Sequence, residues 1–123
     1  MLRGGKKRLL LPLGWAGVIF YLSSQSGTGL ELPFLHADKW IHAGIYGVLA
    51  ALFLWAVGGN GPKALGTLVG LVSLYGATDE VHQYFVPGRS TDVWDWVADT
   101  VGALVVALLY YLARWSRLTR EES

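Results

Sequence analysis

Two stretches of this chain, residues 65–76 and 100–113, contain no charged side chain. Between them, residues 77–99 hold five acids, a histidine, a glutamine and an arginine. A helix on the surface of a soluble bundle needs a polar stripe facing water. The two uncharged stretches offer only Thr67, Ser73 and Thr100 for that purpose. A helix that is apolar all round is either deeply buried or in lipid. Only 15% of the chain is charged, against about a quarter in soluble domains, which favours lipid over a soluble four-helix bundle.

Four apolar segments can be marked, near residues 9–22, 40–57, 64–77 and 97–113. Each falls somewhat short of the roughly 20 residues that a spanning helix needs. Their polar ends extend them to expected spans at about 9–23, 40–57, 64–81 and 94–113. Trp15, Tyr21, Trp40, Trp55, Tyr110, Tyr111 and Trp115 supply rings of the kind that gather at membrane–water boundaries. The expected fold is an all-α membrane protein of four transmembrane helices in a single domain, 1–123. The opening residues also resemble a signal peptide, with a basic head and an apolar middle. Their small-residue site matches A-x-A poorly, so we read them as a retained first span.

Charge sets the expected orientation. The tails and the loop between segments two and three hold eight bases and two acids, a balance of +6. Basic loops stay cytoplasmic, so both termini are expected inside. The other face holds Lys39 and Arg89 against Glu31, Asp38, Asp79, Glu80, Asp92, Asp95 and Asp99, a balance of −5. His36, His42 and His82 join it, giving a polar cluster at the outer face. A net charge of +1 gives no sign of nucleic-acid binding, and the absence of cysteine excludes disulfides and thiolate metal sites.

Local spacing gives each polar group an expected role. Asp79, His82 and Gln83 stand at i, i+3 and i+4 on one helix face, while Glu80 points away. A carboxylate beside an imidazole can orient the ring and raise its basicity. That suits a general base or metal ligand, or merely a hydrogen-bonded helix end. Asp92 is an expected N-cap for segment four with Asp95 in its first turn, and Asp38 a plausible N-cap for segment two. Capping cannot explain Asp99, which a buried position would force to pair or protonate. Its candidate partners are Lys39, His42, His82 and Arg89. Ser23 and Ser24 close segment one at the same level, where ordinary interface residues are also common. Pro87-Gly88 matches the central pair of a type II turn, so segments three and four form a hairpin. Small residues at helical spacing (Gly66 and Gly70; Ala43, Gly47 and Ala51; Ala98 and Gly102) are expected to pack helices within the unit rather than to form a dimer face.

The residues Ser23, Ser24, Asp38, Lys39, His42, Tyr75, Gly76, Asp79, Glu80, His82, Gln83, Phe85, Pro87, Gly88, Arg89, Asp92, Asp95, Asp99 and Gly102 form a pattern. It resembles that of the VanZ-like family, most specifically in D-E-x-H-Q-x-F-V-P-G-R. The resemblance implies a small multi-pass protein of the bacterial cell membrane. Through the family's namesake it implies a link to low-level resistance to the glycopeptide teicoplanin.

The resulting expectation is an outer-face site built from Ser24, Asp38, Lys39, His42, Asp79, Glu80, His82, Gln83, Arg89, Asp92, Asp95 and Asp99. It would bind a polar cell-envelope group, a lipid-linked precursor or a glycopeptide, with Lys39 and Arg89 meeting anionic parts. One alternative is a membrane-embedded hydrolase or transferase on a lipid-linked substrate, with Asp79, His82 and Asp99 as catalytic candidates. No cofactor is expected as resident, although His42, His82, Asp95 and Asp99 carry donors for a divalent metal. Another alternative is a purely structural polar network.

Overall fold

A computed structural model describes residues 5–24, 37–58, 61–88 and 91–122. Among them it contains helices and no strand: a short 3-10 turn at Gly5–Leu9, then α1 (Leu10–Ser23), α2 (Ala37–Val57), α3 (Pro62–Tyr84) and α4 (Val93–Glu121). The four helices match the four expected segments. Two of them, over Asp38–Val57 and Val93–Glu121, are long and apolar enough to cross a membrane. α1 has 14 residues, about 21 Å at 1.5 Å per residue, and so is shorter than a bilayer core. α4 runs past the expected end at 113, because Arg114, Arg117 and Arg120 fall on a helix that continues to Glu121.

Local signals explain where the helices begin. α3 starts with Pro62 at its first position, where a missing N–H costs nothing. Asp92 caps α4 as expected: its backbone is extended and its Oδ1 accepts from the Trp94 N–H at 2.9 Å. Asp38 lies inside the first turn of α2 rather than just before it, and its carboxylate accepts from Lys39 Nζ. Gly88 has φ 77°, the positive value required at the third position of a type II turn.

α2 and α4 form the most extensive contact, and α3 packs next on α4. The tightest glycine contact among the described residues is at Gly102, where an added Cβ would lie 2.1 Å from the Ala43 carbonyl oxygen. Gly47 sits one turn further along α2, and a Cβ there would lie 3.4 Å from the Gly102 oxygen. These small residues therefore pack helices within the chain, as expected. Gly66 and Gly70 do not: nothing lies within 4 Å of a Cβ added at either. The inward stripe of α3 runs Leu65, Leu68, Val72, Gly76, Asp79, Gln83, which turns residues 66 and 70 away from the bundle. α1 is attached through rings. Trp15 Nε1 donates to the Ile45 oxygen at 3.0 Å, and the Tyr75 hydroxyl donates to the Ala16 oxygen.

The inward stripes change character along their length. Leu54, Leu65, Leu68, Val72, Ala103 and Ala107 make an apolar core toward one end. Toward the other end the same stripes carry Asp79 and Gln83 on α3 and Asp95 and Asp99 on α4, all buried. Leucines such as Leu11, Leu71, Leu74, Leu104, Leu108 and Leu112 are meanwhile exposed. Acids inside and leucines outside reverse the usual distribution of a protein in water.

Candidate functional site

The buried polar residues form layers that descend from the N-terminal end of α2 into the bundle. In each layer α2 supplies a donor, and α3 or α4 supplies acids. Lys39, His42 and Tyr46 stand at i, i+3 and i+7, so they share one face of α2.

Lys39 forms the first layer. Its Nζ lies 2.5 Å from Asp38 Oδ2, 2.8 Å from Asp92 Oδ2 and 2.7 Å from Asp95 Oδ1. Three N–H groups thus meet three carboxylates, and the ammonium is fully engaged. The bond from Lys39 holds the Asp92 carboxyl below the ordinary carboxylate range. Asp92 therefore both caps α4 and ties α4 to α2.

His42 forms the second layer. Its Nδ1 is 2.9 Å from Asp99 Oδ1, and its Nε2 faces Asp95 Oδ2 at 3.7 Å. Among the partners expected for Asp99, His42 is the one it meets among the described residues. Asp99 is 0% exposed, and its Oδ2 has no hydrogen-bond partner. A Cβ added to Gly76 would lie 3.0 Å from that oxygen, so glycine at 76 makes room for the carboxylate.

Tyr46 forms the third layer and donates to Asp79 Oδ2 at 2.9 Å. Sequence reasoning missed Tyr46, although its position one turn beyond His42 on the same face was a usable signal. Asp79 Oδ1, like Asp99 Oδ2, is buried without a partner. Glu80 accepts from the Asp92 N–H at 3.2 Å through Oε2, while its Oε1 is also buried and unpartnered.

His82 stands apart from these layers. Its Nδ1 is 3.2 Å from Ser23 Oγ and its Nε2 is 3.5 Å from Ser24 Oγ. The Phe20 ring stacks on it at 4.3 Å. The pairing of Asp79 with His82 suggested by their spacing is not among the bonds made. At 100° per residue, position i+3 falls about 60° to one side of i. Asp79 and Gln83 therefore point inward, while His82 turns to α1 and Glu80 turns to the other flank, toward α4.

Most expected site residues thus converge, in two groups: Asp38, Lys39, His42, Asp79, Glu80, Asp92, Asp95 and Asp99 together, and Ser23, Ser24 and His82 beside them. Arg89, together with Glu31 and His36, lies outside the described residues. The four expected metal donors are divided between the groups, His82 going to α1. Among the described residues no group of three His, Asp or Glu is arranged to hold a metal ion. A second network braces α3 against α4: Ser73 Oγ and Thr100 Oγ1 lie 2.8 Å apart, and Trp96 Nε1 donates to the Ser73 oxygen at 2.9 Å.

No curated protein and no solved structure matches the chain. The VanZ/LLP1 family model matches residues 7–114, which take in every layer of the site. With two helices able to cross a bilayer, that match supports a membrane protein, and its extent shows that the chain belongs to the VanZ/LLP1 family.

Proposed function

We propose that the chain crosses the bacterial cell membrane four times with both termini cytoplasmic, and that its outer-face site binds a polar cell-envelope group. The envelope molecule is a lipid-linked precursor or a glycopeptide of the teicoplanin type. The observation that carries this reading is the set of three buried, unpartnered carboxylate oxygens, on Asp79, Glu80 and Asp99. A buried acceptor without a donor costs about 1–3 kcal/mol, so a ligand that brings donors gains what the free protein lacks.

This sharpens the expected chemistry. Lys39 is saturated by its own acids and has no N–H left for an anion. The described site is suited to amines, hydroxyls and amide N–H groups.

Two experiments test the reading. The chain contains no cysteine, so single-cysteine variants report topology directly. Pro87→Cys should react with an impermeant reagent added to whole cells, and Lys63→Cys should not; the reverse result would overturn the orientation. For binding, Asp99→Asn and His42→Ala should abolish the glycopeptide or envelope phenotype of the expressed protein at unchanged membrane abundance. A variant that loses abundance but keeps full activity per folded molecule would instead support a purely structural network. An acid–base role on a lipid-linked substrate has one specific support, the Ser23–His82 contact at 3.2 Å. It predicts that Ser23→Ala, like His82→Ala, stops release of a substrate head group without displacing bound ligand.

A further inference from the structure

On the flank away from α1, α3 and α4 leave a groove of about 460 Å³. Its walls include Val81 and Val93, and three rings and one carboxylate line it: Tyr84, Phe85, Trp96 and Glu80. The Tyr84 and Phe85 rings meet edge-on, 5.2 Å apart at 89°, and so form a corner. Both are more than 70% exposed, so neither is committed to the core. Trp96 is fixed by its bond to the Ser73 oxygen. Glu80 belongs to this lining, and its Oε1 is buried beside it without a partner.

Aromatic rings beside a carboxylate attract a weakly hydrated cation through the ring quadrupoles and the negative charge together. We propose that this groove binds the alkylammonium head of a membrane amphiphile, with the ammonium at Glu80 and the rings and the tail along the apolar flank of α3 and α4. Charge complementarity selects the head, since Glu80 is the one ionised side chain in the lining and its Oε1 lacks a donor. The valine walls and the exposed leucines on both helices select a ligand with a tail. A ring anchored merely at a membrane boundary needs no carboxylate beside it, which separates this site from an aromatic belt.

The inference deepens the outer-face reading and rests on it for the placing of the groove at the membrane surface. Its test is direct binding by full-length protein in maltoside micelles, independent of any cellular phenotype. The probe is hexyltrimethylammonium, with hexanol as the uncharged comparator and tetramethylammonium as the tailless one. The probe should bind saturably and about tenfold more tightly than either comparator. Loss of one ring or of the charge should weaken it by about three- to tenfold, in Phe85→Leu and Glu80→Gln alike. Trp115→Leu, at an exposed ring in the last turns of α4, should change nothing. Circular dichroism confirms folding, and Phe85→Leu carries the test if Glu80→Gln does not fold. Equal affinity for hexanol would overturn ammonium recognition, and equal affinity for tetramethylammonium would overturn the amphiphile. Unaltered binding by Phe85→Leu would overturn the site. If Asp99→Asn leaves the phenotype intact while Glu80-dependent probe binding persists, the outer-face reading fails and the groove stands.

Discussion

The same substitution, glycine to alanine, should act with opposite sign at two positions in this chain. At Gly102 the added Cβ would fall 2.1 Å from the Ala43 carbonyl oxygen and 2.9 Å from the Ala43 Cα. Carbon atoms essentially never approach an oxygen within 3.0 Å in this way, so α2 and α4 must separate by about 1 Å. The obstacle is backbone, which no rotamer change relieves. Overpacking of this kind costs about 1–3 kcal/mol, and a backbone clash belongs at the upper end. The separation also reaches the polar layers. His42 precedes Ala43, and Asp99 lies one turn before Gly102, so their 2.9 Å contact would stretch to about 4 Å, beyond hydrogen-bond range. At Gly66 nothing lies within 4 Å of the new Cβ, and the residue sits within α3. There alanine should stabilise by up to about 1 kcal/mol through helix propensity. Thermal unfolding of both variants in the same detergent, followed by circular dichroism, makes the comparison. A Gly102→Ala protein as stable as the parent would refute the close α2–α4 packing and, with it, the layered site.

Two further substitutions test individual layers. Lys39→Met should destabilise by about 2–4 kcal/mol, mostly through the bond to Asp95, because Asp38 and Asp92 are half-exposed and add little. Adding Asp95→Asn to that variant should recover part of the loss in the same melt, and strict additivity would show that the two side chains do not interact. Tyr46→Phe removes the one donor that Asp79 has among the described residues and should cost about 1–3 kcal/mol; a neutral result would mean that Asp79 does not depend on that bond.

Much of the site could be read from spacing. Lys39 and His42, Asp79 and Gln83, and Asp95 and Asp99 each share a helix face at intervals of three or four, and the bundle brings these faces together. The Asp92 cap was legible because capping is a local matter of one side chain and the next backbone N–H. The pairing of Asp79 was not. Its spacing suggested His82 on its own helix, whereas its partner is Tyr46, 33 residues away on α2. A helix repeat tells which residues face the same way, but it does not tell which way that is.

Four helices, two uncharged stretches, the gathering of acids near one end and the family could all be read from the amino-acid order. Those properties follow from composition and from the 3.6-residue turn, which act within each segment. Tertiary structure decided the partners: Lys39 with three carboxylates, His42 with Asp99, Tyr46 with Asp79, and His82 with Ser23 and Ser24. Partner choice depends on how far each helix is rotated about its axis and how closely two helices approach. Here both are set by backbone contact at Gly102 and by the inward stripe of α3, neither of which any single segment encodes.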